Sequence, residues 1–226
     1  MEEGLLKLAA ACVLFVGSHM VMSGPVRAPL VRSLGQRGFL GLYTLVAIVT
    51  FGWAILSFHR AGRGTMLWDG TALVPWLIAS ALTLFAMVLL VGSLSGNPAL
   101  PDANLAGLSA RKPWGIFQVT RHPMMMGIAF WAVAHMLVSP TARTALFDLS
   151  LGLLALAGAA AQDRRKLARN SREWGVWMAR TSFWPRPRGL SRIGNLWAAG
   201  LLAWLAATAA HMWLGGIPAG IWIVLS

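Results

Sequence analysis

The stretch Thr120-Arg121-His122-Pro123-Met124-Met125-Met126-Gly127, continued by an apolar run to Trp131-Ala132-Val133-Ala134-His135, decides how the chain is read. Pro123 suits the first turn of a helix, where its missing N–H would have no intrahelical partner and its fixed φ is already helical. Arg121 and His122 therefore stand at the mouth of that helix. His135 lies well inside it, roughly 18 Å from Pro123 at the helical rise. An apolar helix with a charged mouth and a histidine mid-span reads as a membrane helix, and in a bilayer such a histidine marks a site.

Composition agrees with that setting. The chain has 226 residues, 57% hydrophobic and 12% charged, with a mean hydropathy of +0.64. These values belong to multi-pass membrane proteins. No long polar or Ser/Pro-rich linker divides the chain, so 1–226 reads as a single transmembrane domain. A lone cysteine, Cys12, excludes an internal disulfide and a Cys-rich metal cluster. The first apolar run follows Met-Glu-Glu with Lys7 as its early positive charge, which reads as a retained first helix rather than a cleaved signal.

The apolar runs predict spanning helices over 5–22, 39–58, 72–94, 123–138, 145–161 and 196–214, with polar connections between them. Residues 162–180 read as an amphipathic helix that continues the fifth span and lies on the membrane surface. The apolar tail 217–225 is too short to cross alone. Fold class is thus an all-α, polytopic helical bundle of about six transmembrane helices, with a cytoplasmic amphipathic helix between helices 5 and 6. Twelve tryptophans, Trp114, Trp174, Trp177, Trp184 and Trp197 among them, read as interfacial belts near the run ends.

The net charge of +12 could suggest nucleic acid, but its placement reads as topology. Fifteen of the nineteen Lys and Arg residues fall in the 1–2, 3–4 and 5–6 connections, and only Lys7, Arg60, Arg63 and Arg143 fall opposite. By the positive-inside rule the three basic connections are cytoplasmic and both termini are periplasmic. The expected location is a bacterial cytoplasmic (inner) membrane, with the lipid bilayer as partner and no nucleic acid.

Chemistry has few carriers here. There is no phosphate-binding Gly-rich loop, no Cys pair and no His-Glu-x-x-His, and seven acids leave little for paired-carboxylate catalysis. Five histidines remain: His19, His59, His122, His135 and His211. Imidazole is the usual protein donor to haem iron and to zinc. His59, beside Arg60, reads as interfacial. His122 reads either as a phosphate or carboxylate binder or as a polar residue of the helix mouth. His19, His135 and His211 lie within apolar runs and face the bundle, as ligands or as histidines bonded to a neighbouring carbonyl. Met124, Met125 and Met126 suit Cu(I) by softness, but neighbours on a helix point about 100° apart and cannot all share one metal. They read as apolar filler.

Three stretches resemble the NnrU family of integral membrane proteins: Gly17-Ser18-His19 with Pro25-x-Arg27 and Leu30-Val31; Arg37-Gly38-Phe39 to Gly41-Leu42-Tyr43; and Thr120-Arg121-His122-Pro123-Met124 through His135. The resemblance runs to about Leu214. It implies a link to nitrite and nitric oxide respiration in denitrifiers. The family's plant relatives, the 15-cis-zeta-carotene isomerases, use haem b, and the positions matching their haem ligands are His19 and His135. Ala132 stands where those enzymes have a cysteine, so a thiolate-assisted ligand switch is not available here. A wider resemblance is to isoprenylcysteine carboxyl methyltransferases, through Arg121-His122-Pro123 and the later Asp163, Trp174, Trp177, Phe183 and Pro185. In that group the two segments enclose S-adenosylmethionine.

Depth and resemblance differ on the ligand pair. His19 is ~6 Å, His135 ~18 Å and His211 ~22 Å from the basic face at the helical rise. Depth favours His135 with His211, and the resemblance favours His19 with His135, which is the pair expected here with His211 as runner-up. The leading expectation is therefore an NnrU-like protein binding haem b, with redox or isomerase chemistry on a lipophilic or small-gas substrate. The rival is an S-adenosylmethionine-dependent membrane methyltransferase with the cofactor at Arg121 and His122. A third reading is a non-enzymatic assembly factor with a respiratory reductase as partner. No catalytic residue is assigned.

Overall fold

A computed structural model describes residues 2–101 and 103–224; Met1, Asp102, Leu225 and Ser226 lie outside the described residues. Among these the chain is all helical. The helices are α1 (Glu2–Ser23), α2 (Arg27–Arg60), α3 (Leu73–Ser93), α4 (Pro123–Val138), α5 (Ala142–Arg169), α6 (Ser171–Arg180) and α7 (Leu196–Gly215), with short 3-10 turns between them. Five of them, α1, α2, α3, α5 and α7, are long and apolar enough to cross a membrane. The sixteen-residue α4 is apolar but shorter.

Three spans match their expected ends to within a residue: α3, α4 and α7. Two do not. The connection 24–38, expected as polar coil, is mostly helix: α2 starts at Arg27 and bends at Gly35, whose φ of +70° interrupts the helical backbone. Pro29 does not prevent this, because it falls in the first turn. At the other extreme α5 runs on to Arg169, where the expected amphipathic continuation breaks at Asn170 (φ −152°, ψ 64°) and restarts as α6.

The packing order follows the chain closely. α1 packs on α2 and on α5, α5 on α4, α4 on α3, and α3 on α7. Leu146 and Phe147 of α5 pack against Leu8 and Cys12 of α1, while a Cβ on Gly152 would lie 3.6 Å from Ala132 Cβ of α4. Positions five or six apart fall well round the helix from one another. α5 is thus the middle layer between the α1–α2 pair and the α3–α4–α7 group.

Small residues set the closest helix approaches, as they do where lipid gives no hydrophobic drive between helices. A Cβ on Gly200 of α7 would meet the Val88 backbone Cα of α3 at 2.8 Å, and one on Gly127 of α4 would meet the Ala86 carbonyl oxygen at 3.0 Å. Away from these seams the spans present large apolar side chains outward: Leu6 and Val13 on α1, Leu45 and Ile48 on α2, Val74 on α3, Leu153 on α5 and Leu202 on α7 are all exposed. In water that surface would aggregate. Against acyl chains it is the solvated face.

The largest fully buried core lies at one end of the bundle rather than in its middle. Trp174, Trp177, Phe117, Ile116, Leu108, Leu89, Val88 and Met126 pack into it. The surface-anchor reading of the amphipathic segment is corrected here: Trp174 and Trp177 are 0% exposed and face protein, not lipid. Trp184, by contrast, stays exposed. This end gathers the basic connections. Arg165 Nη1 donates to the Ser23 carbonyl of the α1–α2 turn, Ser109 N–H to Glu173 Oε2, and Arg180 Nη1 to the Ser109 carbonyl. The opposite end is tied separately, by Arg143 Nη1 to the Ala61 carbonyl and Trp68 Nε1 to the Leu137 carbonyl.

Candidate functional site

Two polar assemblies interrupt this apolar bundle, one at the basic end and one within the spans. The first begins at the mouth of α4. His122 has the extended φ (−122°) that a residue before proline requires, so its ring turns back from the helix axis toward α5. Backbone bonds brace the mouth against the segment after α6: Arg121 N–H donates to the Ser182 carbonyl at 2.8 Å, and Arg186 N–H to the Val119 carbonyl at 2.9 Å. The Thr120 hydroxyl donates to the Phe183 carbonyl at 2.6 Å.

Asp163 of α5 is the hub. Arg121 donates to its carboxylate from Nε at 2.9 Å and from Nη2 at 2.6 Å. His122 Nε2 lies 2.9 Å from Oδ1, and Trp174 Nε1 donates to the same oxygen at 3.1 Å. Every member is buried: Arg121 7% exposed, Asp163 7%, His122 1% and Trp174 0%. A buried charge pair is tolerated when its remaining lone pairs are also met, and here three side chains converge on one carboxylate. The Phe183 ring closes the assembly, 5.4 Å from the His122 ring and 5.4 Å from the Arg121 guanidinium carbon.

One atom of this network is left over. His122 Nδ1 is buried without a hydrogen-bond partner. The His122 side chain lines a cavity of about 20 Å³, with Asn97, Leu100, Met124, Met125 and Gln162. That volume holds about one water. Lys166 lies one turn beyond Asp163 and donates to the Leu100 carbonyl at 2.8 Å, which holds the 95–122 loop over the cavity.

The second lies near the opposite end of the spans: His135 stands in the last turn of α4, and His211 four residues from the end of α7. His211 is exposed rather than facing the bundle as expected. His19 stands four residues from the basic-end terminus of α1. His135 Nδ1 lies 2.9 Å from the Trp131 carbonyl, and His19 Nδ1 lies 2.8 Å from the Phe15 carbonyl. A carbonyl only accepts, so in both residues Nδ1 carries a proton, and in the neutral ring Nε2 keeps its lone pair. The rings have different neighbours. His135 stacks near Trp131, with a centroid distance of 4.1 Å, and stands 6.0 Å from the His211 ring of α7. His19 meets Phe15 and Tyr43 of the α1–α2 pair at 4.4 and 5.2 Å. The structure thus brings His135 and His211 together and Arg121 and His122 together, while His19 sits in the layer across α5. His59, at the end of α2, is exposed. Among the described residues no three His, Cys, Asp or Glu side chains are grouped to hold a metal ion by themselves.

Three residues escaped the sequence reading as site members. Asp163 was legible only as part of a resemblance, and its partners lie 42 and 41 residues away. Trp174 read as a belt residue. Asp148, inside the fifth apolar run and only 2% exposed, carries its own signal in the sequence, an acid within a span.

Comparison with known proteins adds one match. The model of a family described as NnrU protein matches residues 7–219. No curated protein matches the chain, and no solved structure does.

Proposed function

The chain belongs to the NnrU family, and on that footing we propose that it is a haem b-binding membrane protein acting in redox or isomerase chemistry on a lipophilic or small-gas substrate, or in nitrite and nitric oxide respiration. One observation carries the reading. His135, in the apolar helix α4, donates Nδ1–H to the Trp131 carbonyl, which in the neutral ring leaves Nε2 as the donor atom, beside a second imidazole, His211. A ring nitrogen fixed by a backbone carbonyl is how metal-ligating histidines are held. His19 meets the same test through Phe15. The donors of α4 and α7 therefore fit haem iron by proximity, His135 with His211, while His19, the partner the resemblance implies, stands across α5.

Haem b, if held by two of these imidazoles, would supply one-electron chemistry. The chain's own residues fix the imidazole tautomer, exclude water with apolar spans, and present exposed Arg and Lys at the basic end. The basic end is assigned to the cytoplasm of a bacterial inner membrane, with both termini periplasmic.

A second reading is favoured by the convergence of Arg121 and His122 on Asp163 and Phe183, the two segments that resemble the S-adenosylmethionine site of membrane methyltransferases. The 20 Å³ cavity there is far below the size of that cofactor, so this reading needs the 95–122 loop to open. Purified protein from haem-replete cells separates the two. A b-type pyridine haemochrome spectrum without calorimetric S-adenosylmethionine binding is the expected result. Haem-free protein that binds S-adenosylmethionine would reverse the order.

A further inference from the structure

The buried residues of α5 include two carboxylates, Asp148 and Asp163, with opposite circumstances. Asp163 receives bonds from Arg121, His122 and Trp174. Asp148 receives none: its Oδ2 is buried without a partner, and no hydrogen bond or ion pair reaches the carboxyl among the described residues. It is 2% exposed, in a helix long and apolar enough to span the membrane. An ionised carboxylate buried alone in such a place is strongly disfavoured, and acids kept within spans mark ion or proton pathways.

Register places it. α4 and α5 run antiparallel through the turn at 139–141, and Gly152 faces Ala132 across their seam. Four residues from Gly152 toward that turn is Asp148, a rise of ~6 Å; three residues from Ala132 toward it is His135, a rise of ~4.5 Å. The backbones of Asp148 and His135 therefore sit within ~1.5 Å of the same depth on facing helices.

We propose that Asp148 is an intramembrane proton-binding site, its carboxylate taking up a proton and its carboxylic acid releasing one at the level of His135. The step is a bare proton transfer, with no change of oxidation state and no co-reactant. It rests on the α4–α5 geometry and not on the haem reading.

The titratable and charged groups on the elements around it leave Asp148 uncompensated. On α4 there is His135, whose Nδ1–H donates to Trp131. On α1 there are Cys12, His19 and Lys7, the last paired with Glu3 at 2.7 Å. At that end of α2 are His59 and Arg60. On α5 itself Arg143 donates to the Ala61 carbonyl. α6, with Arg172, Glu173 and Arg180, packs with the far end of α5.

The test is labelling of the full-length protein in lipid vesicles with dicyclohexylcarbodiimide, followed by peptide mass mapping. This apolar reagent consumes a protonated carboxyl: the acid proton moves to a carbodiimide nitrogen as the carboxylate oxygen adds to the central carbon, and the adduct rearranges to a stable N-acylurea. Label on Asp148 and not on Asp163, falling to background as pH is raised, is the expected result. Asp148→Asn should keep its thermal transition, lose the label, and lose the infrared C=O band of a protonated carboxyl. Absence of both label and band in the native protein would overturn the proposal. Label displaced by sodium at constant pH would overturn it too, making the site one for a metal cation. Since neither readout needs haem, a haem-free preparation labelled at Asp148 would leave this inference standing while the haem reading fell.

Discussion

Arg121 grips Asp163 across 42 residues of chain, Nε at 2.9 Å and Nη2 at 2.6 Å from the same carboxylate oxygen, with both side chains 9% exposed. This pair joins the mouth of α4 to α5, and through Trp174 to α6. Geometry of that kind makes the loss of one partner much worse than the loss of the pair.

Asp163→Ala leaves a buried guanidinium and His122 without their shared acceptor. Destabilisation of about 3–5 kcal/mol is expected for an orphaned buried charge. Unfolding in detergent, followed by tryptophan fluorescence, should show it. Replacing Arg121 and Asp163 together by apolar residues of similar size should recover part of the loss. A single variant as stable as the parent would show that the pair does not hold this end of the bundle together.

Gly200 is the tightest α3–α7 contact, and side chains cannot be added there without moving Val88. Gly200→Leu is expected to overpack the seam at ~1–3 kcal/mol. Gly17→Ala, whose Cβ meets nothing within 4 Å, serves as the control and should leave the melting temperature unchanged or slightly raised. Equal melting of both variants and the parent would contradict the close approach of α3 and α7.

The gathering of basic connections at one end predicts orientation. Alkaline phosphatase fused after Ser226 should be active, and fused after Arg188 inactive, because the enzyme matures only outside the cytoplasm. The reverse pattern would sink the charge argument.

Much of the bundle was legible because membrane spans advertise themselves by length and apolarity. α3 has nothing but apolar residues and small ones to place, α7 adds only His211, and their ends fell where the runs ended. The first turns of α2 were illegible for the opposite reason: Arg27, Pro29 and Arg32 look like a loop, and only a bend at Gly35 reconciles a charged segment with a continuous helix. Trp174 and Trp177 have a composition that suits lipid interfaces, yet they fill a protein core, because the 95–122 loop folds over them. That loop's path is a long-range fact which no local period encodes. The Arg121–Asp163 pair belongs to the same class. Asp148 differs: it was visible in the sequence, and only its lack of any partner needed coordinates.

We propose that His135 holds haem iron, and the Soret spectra of three alanine variants read this out. Each is purified from haem-replete cells and compared with the parent. His135→Ala should abolish or shift the Soret band while the protein keeps its thermal transition. Of His19→Ala and His211→Ala, the one that shifts the band likewise is the second ligand. A folded His135→Ala protein with the parent's Soret band would contradict the account.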